Sequence, residues 1–225
     1  MDYRNELKFL CSAGQLTILQ ARLRPLLRPD AHQAGQAYAV RSLYFDDADN
    51  TGYVDKLDGV DDRRKYRLRL YGHSAELVRL EIKHRVRGLV RKQGCVLSRE
   101  EAEALTDGRC PAYRKEWPPP MQKLYVAMQG ALLRPRVIVE YERTAFVSPL
   151  GNVRVTFDRN VSMCPRTGDF LQPALPLTPV LPTGQHVLEV KYDEYIPDFI
   201  LQTLELGALM PTAFSKYTLC RMASA

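Results

Sequence analysis

Cationic and apolar side chains alternate with a period of two along two neighbouring segments of this chain. In residues 63–71, one face of the predicted strand carries four cations: Arg63, Lys65, Arg67 and Arg69. The opposite face carries Arg64 and three mainly apolar side chains: Tyr66, Leu68 and Leu70. Residues 77–85 repeat the alternation, with one face formed by Leu77, Arg79, Glu81, Lys83 and Arg85. A period of two is typical of β-strands, so both segments are predicted to be strands.

Two such strands side by side would bring like charges close together. At an effective dielectric constant of about 20, two unit charges about 8 Å apart repel by roughly 2 kcal/mol. If the cationic faces point into the protein, they require acidic side chains, solvent or a polyanionic ligand between them. The alternative is a solvated basic face on the outside of a sheet, and the two segments alone do not distinguish these arrangements.

The remainder of the chain adds six predicted strands and several helices. Together with the two cationic segments, the predicted strands cover residues 3–10, 38–46, 63–71, 77–85, 89–97, 135–146, 152–158 and 186–193. Capping boxes at Ser12 and Ser98 predict the starts of two helices. Apolar residues at helical spacing predict a third helix from Met121, and a fourth between Pro197 and Pro211. The segments predicted to be loops are residues 30–36, 47–62, 109–120 and 162–184.

Most of the predicted strands carry paired charges on one face and aliphatic side chains on the other. They follow one another mostly as hairpins, and eight antiparallel strands can close into a barrel. The aliphatic face must still be buried, so we expect helices outside and the charged face inside. The predicted fold class is therefore α+β, an eight-stranded antiparallel β-barrel with helices packed outside. A cation-lined interior is unfavourable unless it binds an anion, which favours a functional tunnel over a solvated face.

Composition and charge indicate a cytoplasmic protein with anionic partners. The 225 residues include 32 Lys+Arg and 26 Asp+Glu, for a net charge of +6. The five cysteines show no CxxC spacing, which indicates a reducing compartment without disulfides or a zinc site. No apolar signal region opens the sequence, and no run approaches the roughly 18 apolar residues of a membrane span. We therefore expect a single domain over residues 1–225, located in the cytoplasm.

Eight ordered motifs in this sequence resemble the VTC domain. The motifs are YRNELK (3–8), RSLYFD (41–46), RKYRLRLY (64–71), LEIK (80–83), YERTAF (141–146), VRVTFD (153–158), LEVKYD (188–193) and FSKY (214–217). The VTC domain is the polyphosphate polymerase domain of the vacuolar transporter chaperone complex, within the triphosphate tunnel metalloenzyme (CYTH-like) superfamily. The resemblance covers nearly the whole chain.

The resemblance implies a tunnel in which the γ-phosphate of ATP is transferred onto a growing polyphosphate chain, with Mn²⁺ or Mg²⁺ as cofactor. The implied phosphate ligands are Lys8, Arg67, Arg69, Lys83, Lys92, Tyr141, Arg143, Arg154, Ser215 and Lys216. Five of them are expected to be catalytic: Lys8, Arg67, Arg69, Lys83 and Arg143. The implied metal ligand is Glu189, and Glu6 is a further candidate, either for a second metal ligand or for a carboxylate that positions water. Phosphoryl transfer depends mainly on positioning and charge neutralisation, which such a set of cations can supply.

One position departs from the pattern of the wider superfamily. Its hydrolases and cyclases open with a Glu-x-Glu-x-Lys strand, and here Arg4 stands where the first Glu would be. This departure fits the polymerase branch and argues against a simple triphosphatase. The familiar membrane-linked complexes also carry an SPX module and transmembrane helices, which these residues lack, so we expect a stand-alone role. Recruitment by a membrane protein is left open.

Several alternatives stay open at this stage. The protein can instead be a tunnel triphosphatase, or a non-catalytic module that binds polyphosphate or nucleotides. Nucleic acid is not expected as a partner, because no aromatic stacking platform accompanies the basic rows. Glu189 can alternatively form a structural salt bridge to Lys191 or to an arginine of the tunnel, and Glu81 is expected to balance charge. Strand parity does not decide whether Tyr141 and Arg143 face the tunnel.

Overall fold

The computed structural model describes residues 4–31, 33, 35–205 and 209–224, so Tyr3, at the predicted start of the first strand, lies outside the described residues. The strands are β1 (Asn5–Ser12), β2 (Arg28–Pro29), β3 (Tyr38–Asp46), β4 (Arg63–Tyr71), β5 (Ser74–Val86), β6 (Leu89–Val96), β7 (Arg134–Ser148), β8 (Val153–Cys164), β9 (Thr178–Pro179) and β10 (Gln185–Tyr192). The helices are α1 (Ala13–Leu23), α2 (Thr51–Leu57), α3 (Arg99–Thr106), α4 (Pro119–Gly130), α5 (Asp198–Leu204) and α6 (Lys216–Ala223).

The eight long strands form one antiparallel sheet in the order β1-β10-β8-β7-β3-β4-β5-β6, and the two-residue strands β2 and β9 pair with β7 and β8. The sheet curls into a half-barrel, and its two ends approach each other where Arg4 forms a bridge with Val90. Helices pack around the sheet. The predicted α+β fold with eight antiparallel strands is therefore confirmed.

Two apolar cores lie on the convex side of the sheet. The first packs β3, β4 and β5 against α3 and α4 and includes Leu43, Leu68, Leu80, Leu105 and Leu124. The second packs β8 and β10 against α1 and α5 and includes Leu19, Leu23, Phe157, Leu188 and Ile200. Each fully buried Leu or Phe contributes roughly 1.5–3 kcal/mol, so these cores hold the convex side against the helices. The charged sides of the same strands are thereby turned to the concave side.

A third core lies on the concave side and involves α6. It includes Val137 and Val139 of β7 together with Tyr217 and Cys220 of α6. Tyr141 belongs to the same core and to the same face of β7, two residues beyond Val139. Part of the concave face is therefore apolar, and α6 covers it.

Local signals predicted several helix starts correctly. The side chain of Ser12 accepts a hydrogen bond from the backbone N–H of Gln15, and the side chain of Gln15 accepts one from the backbone of Ser12. Ser98 and Glu101 form the same reciprocal pair at α3. These two capping boxes satisfy N–H groups that the first turn of a helix leaves unpaired. Both predictions are confirmed.

Several predictions about the segments between the long strands are wrong. Residues 162–184, predicted as a loop, contain the short strand β9. Residues 47–62 contain helix α2, and β8 continues to Cys164, into the segment predicted as a loop. The fourth helix ends at Leu204, and a further helix, α6, follows Ser215. Helix α2 has no side-chain cap of its own. Instead, the carboxylate of Asp46 accepts hydrogen bonds from the N–H groups of Gly52 and Tyr53. Asp46 is the last residue of β3, and within the segment the carboxylate of Asp47 accepts one further hydrogen bond, from the N–H of Thr51 at 2.8 Å.

In the part of the chain that the structure describes, no helix is long and apolar enough to cross a membrane.

Candidate functional site

The concave face encloses a cavity of about 320 Å³ that is lined by eleven Lys and Arg side chains and three Glu side chains. All twelve site residues selected from the sequence line it: Glu6, Lys8, Arg67, Arg69, Lys83, Lys92, Tyr141, Arg143, Arg154, Glu189, Ser215 and Lys216. The cationic row of β4 therefore points inward, and so do Tyr141 and Arg143, whose direction parity left open. Their roles as ligands stay predictions.

The wall formed by β4, β5 and β6 carries a row of lysines across three strands. Lys65 pairs in register with Lys83, and Lys83 pairs with Lys92. In the adjacent row, Arg67 pairs with Glu81. Directly opposed side chains in antiparallel strands lie about 5 Å apart at Cβ, so the register alone crowds these charges.

Glu81 balances much of the charge on this wall. Its side chain is 2% exposed, and its Oε2 accepts hydrogen bonds from Arg67 at 2.9 and 2.7 Å. Arg69 lies 3.4 Å from the same oxygen, and Lys92 forms an ion pair with Oε1. Burial alone would raise the pKa of Glu81, but these three cations outweigh it and hold the pKa well below its usual range. Glu81 is thus an internal counter-ion that positions cations on the tunnel wall.

The adjoining wall, formed by β1 and β10, alternates carboxylates with lysines. Glu6 contacts Lys83 at 2.7 Å and Lys191 at 3.3 Å. Lys8 lies 3.6 Å from Glu6 and 3.8 Å from Glu189, and Lys191 also pairs with Glu189. Burial and the neighbouring Glu189 act to raise the pKa of Glu6, yet the surrounding lysines lower it to about 2. Both carboxylates are therefore ionised at neutral pH.

A buried ion cluster joins β7, β8 and α6 at the closed side of the cavity. Arg143 donates two hydrogen bonds to Asp158, whose side chain has no solvent exposure. Lys216 lies 2.6 Å from the same carboxylate. The ring of Tyr141 lies beneath both cations, and its hydroxyl accepts a hydrogen bond from Arg69 at 3.2 Å. Arg143 and Lys216 are thus held with a single acid, Asp158, between them.

Arg154 stands apart from that cluster, near the mouth of the cavity. Its Nε donates to Asp30 at 2.8 Å, and its Nη2 donates to the hydroxyl of Tyr38 at 3.2 Å. Tyr38 is the first residue of β3 and Asp30 precedes that strand, so Arg154 links β8 to β3 and to the segment before it, across β7. A ligand at Arg154 would share the guanidinium with Asp30.

Helix α6 brings Ser215 and Lys216 into the cavity. Ser215 is the N-cap, and its side chain accepts a hydrogen bond from the backbone N–H of Thr218. The helix is anchored to the end of β3 and to the N-cap of α2, because Tyr217 donates to Asp46 while Arg221 donates to Tyr217 and Asn50. The tunnel end of α6 is therefore positioned by contacts of its first two turns.

A second, smaller cavity of about 140 Å³ adjoins the main one. Lys56, Arg63 and Arg85 line only the smaller cavity, while Lys65 lines both. The row of charges on β4 thus continues from one cavity into the other.

Sequence reasoning did not assign several residues that line the main cavity. They include Arg4, Tyr38, Tyr44, Lys65, Tyr71, Lys191 and Tyr217. Strand parity could have selected Lys65 and Lys191, because each lies two residues from an assigned site residue. The tyrosines carry no comparable signal, since aromatic side chains are common on either face of a strand.

Glu6 and Glu189 are the carboxylates whose surroundings can accept a metal ion. Among the described residues, no group of three or more His, Cys, Asp or Glu could hold a metal by itself. Hard cations such as Mg²⁺ often use one or two carboxylates together with substrate phosphates. Glu6 and Glu189 can supply the two carboxylates, because they lie on the paired strands β1 and β10 and are close enough for both to contact Lys8 and Lys191. The donor set suits a metal that arrives with phosphate.

The arrangement as a whole is suited to a chain of several phosphates. Arginine side chains offer planar, two-point contacts to phosphate, and lysine side chains offer point charges. The excess of cations over acids in the lining leaves positive charge for a ligand to neutralise. Charges enclosed in a poorly solvated cavity also interact more strongly than charges on a surface.

Known structures share this fold at low sequence identity. A candidate adenylyl cyclase from Hippeastrum, described as having a dominant triphosphatase activity, is 15% identical with a TM-score of 0.57, covering 99% of this chain and 96% of that chain. A candidate adenylate cyclase from Bacillus halodurans is 13% identical with a TM-score of 0.50, covering 89% of this chain and 86% of that chain. A Pyrococcus horikoshii protein is 11% identical with a TM-score of 0.50, covering 96% of this chain and 98% of that chain. These likenesses show the fold alone.

Sequence comparison gives a more specific result. No curated protein matches the chain. The profile of the VTC domain family, in contrast, matches residues 3–224, which spans the strands of the tunnel and helix α6 that completes it. With its triphosphate tunnel fold and this match, the chain belongs to the VTC domain family.

Proposed function

We propose that this protein is a polyphosphate polymerase that transfers the γ-phosphate of ATP onto a polyphosphate chain inside the tunnel. The observation that carries the proposal is the lining of the main cavity, where eleven cations face three carboxylates. Membership of the VTC domain family supports it. The proposed cofactor is Mn²⁺ or Mg²⁺, and the proposed partners are ATP and polyphosphate.

In this proposal the cations position the phosphates and neutralise the charge that develops during transfer. Arg67, Arg69 and Lys83 act from one wall, with Lys8 and Arg143 on the other. Preorganised charges of this kind stabilise a transition state without reorganisation during the reaction. Lys92, Tyr141, Arg154, Ser215 and Lys216 are proposed to hold the remaining phosphates.

Glu189 and Glu6 are proposed to hold the metal ion, which would neutralise phosphate oxygens when bound. Both carboxylates already contact lysines, so metal binding would replace or share those ion pairs. The resulting site depends on phosphate for its remaining ligands. We therefore expect metal to bind together with nucleotide and only weakly alone.

The first strand of the tunnel supports transfer to a phosphate chain over hydrolysis. Arg4 pairs with Asp193 at 3.1 Å and donates to the carbonyl of Asn152. A cation thus occupies the position of the first carboxylate of the superfamily hydrolases.

Triphosphate hydrolysis is the second candidate function. It is supported by the shared fold with the Hippeastrum protein, for which a dominant triphosphatase activity is described. The fold likeness does not separate transfer from hydrolysis, so the products must decide.

The test is product analysis with purified protein, ATP and Mn²⁺ or Mg²⁺. Polymerase activity predicts long-chain polyphosphate from the wild type, and its loss in an Arg67→Ala, Arg69→Ala double variant and in Glu189→Gln. Arg109→Ala removes an exposed cation that pairs with Asp107 outside the tunnel and should retain activity. Release of single phosphates without polymer would establish the hydrolase instead. Tight binding of polyphosphate without turnover would leave a binding module.

A further inference from the structure

The two cavities meet at a short passage in the tunnel. The residues that line both cavities are Glu6, Lys8, Lys65, Lys83, Val90 and Ser215. A linear polyanion that occupies both cavities must run past these side chains. These six residues are therefore the ones that a chain contacts as it passes from the main cavity into the smaller one.

Lys65 differs from the other lysines of the passage. Lys8 and Lys83 each contact Glu6, at 3.6 and 2.7 Å. Lys65 has no carboxylate within ion-pair distance among the residues that the structure describes. Its Nζ donates to the hydroxyl of Ser215 at 3.1 Å and lies 5.1 Å from the centre of the Tyr217 ring. Lys65 therefore has two weak contacts with neutral groups in place of an anionic partner.

Most of the charged groups around Lys65 are cations, which disfavour its charged form. The charged or titratable groups around it come from β1, β4, β5, α2 and α6 and are Glu6, Lys8, Lys56, Arg63, Lys83 and Tyr217. Burial, followed by repulsion from these cations, lowers the pKa of Lys65 to about 7. In the free protein at neutral pH, the lysine is therefore close to the midpoint of its titration.

We propose that Lys65 is an additional phosphate ligand, and that it holds the part of a polyphosphate chain that passes from the main cavity into the smaller one. This inference rests on the proposed occupancy of the tunnel by phosphate chains. A charge that is half-buried among other cations without a counter-ion destabilises the free protein, so its retention is explained by an anion that arrives with the ligand. When the phosphate arrives, it favours the charged form of Lys65, and the amine takes up a proton from solvent.

The first test measures binding of long-chain polyphosphate by calorimetry at pH 7.5, in two buffers with different ionisation enthalpies. We expect Lys65→Met to weaken binding by about tenfold, the effect of losing one charge-assisted hydrogen bond. Lys65→Arg should retain most of the affinity, because the guanidinium keeps the positive charge. It should, however, lose part of the proton uptake seen with wild type, because arginine is already protonated. Lys83, whose pKa is lowered to about 8, remains in both proteins, so the difference reports Lys65.

A second test measures thermal stability without ligand. If Lys65 is an uncompensated cation, Lys65→Met should raise the melting temperature by about 2–4 °C while it weakens polyphosphate binding. A purely structural lysine that supports Ser215 and Tyr217 would give the opposite sign. Lys123→Met, on α4 outside the tunnel, is the control for losing a single positive charge.

The outcomes separate this inference from the proposed function. Polyphosphate binding that is unchanged in Lys65→Met, or a fall in its melting temperature, would overturn the role of Lys65 even if the wild type makes polymer. Weakened binding with lost proton uptake would support it even if the wild type only binds and does not catalyse. A wild type that binds no polyphosphate would overturn both.

Discussion

Arg143 and Asp158 face each other across β7 and β8 and form a buried two-point ion pair, with Nε–Oδ1 and Nη2–Oδ2 distances of 2.6 and 2.8 Å. The same carboxylate holds Lys216 of helix α6 at 2.6 Å. One fully buried acid therefore fixes two proposed phosphate ligands from different elements. Its replacement tests how strongly the tunnel depends on internal counter-ions.

Asp158→Asn should destabilise the protein by about 3–5 kcal/mol, because removing one partner leaves two cations buried and uncompensated. The free energy of unfolding can be measured by denaturant titration. Asp107→Asn is the control, since Asp107 is exposed and pairs with Arg109, and exposed pairs contribute about 0–1 kcal/mol. Equal effects of the two substitutions would contradict the importance of the buried cluster.

The same pair predicts an acid-sensitive component of stability. Burial acts to raise the pKa of Asp158, but Arg143 and Lys216 outweigh it and lower the pKa to about 2, from 3.8. A carboxyl with a lower pKa in the folded state stabilises the protein above its unfolded pKa and loses that contribution as the pH falls toward the folded pKa. The difference in unfolding free energy between wild type and Asp158→Asn should be constant above about pH 5 and shrink between about pH 4 and 2. A difference that does not change over this range would contradict the shift.

Glu81→Gln should change stability and ligand affinity in opposite directions. Glu81 holds Arg67, Arg69 and Lys92, so its neutralisation should lower stability while it frees three cations for phosphate. We expect binding of tripolyphosphate to become tighter, measured by calorimetry, together with a lower melting temperature. Glu103→Gln, an exposed residue of α3 that pairs with Arg99, should change neither. Weaker binding in Glu81→Gln would mean that Glu81 orients Arg67 and Arg69 more than it competes for them.

Gly94 permits the close approach of β6 to β5. A Cβ at this position would lie 2.7 Å from the backbone oxygen of Leu80, so close that the backbone of one of the two strands would have to move. Gly94→Ala should therefore destabilise the protein by about 1–3 kcal/mol and displace the strand that carries Lys92. Gly130→Ala is the matched control, because a Cβ there meets no atom within 4 Å and alanine is favoured in a helix. A neutral Gly94→Ala would indicate that β6 can shift without loss of pairing.

Several features follow from the sequence alone. The alternation along β4 and β5 predicted inward-facing cations, and the capping boxes at Ser12 and Ser98 predicted the starts of α1 and α3. These are local signals: a strand repeats every two residues, and a cap involves residues three apart. The eight strands and the antiparallel α+β fold were likewise predictable, as was membership of the VTC domain family.

The tertiary structure decided how charges are paired and which element completes the cavity. Asp46 supports both α2 and Tyr217 of α6, contacts that join residues far apart in sequence. Strand parity could not show whether Tyr141 and Arg143 face the cavity, because the concave face of β7 carries both apolar and charged residues. Helix α6 covers the apolar part of that face and leaves the charged part to line the cavity. Lys65 looks like its neighbours Arg67 and Arg69 in the sequence, yet it alone of the three has no carboxylate among the described residues. A charge's partner depends on which strands become neighbours and in what register, and the sequence of a single strand does not contain that information.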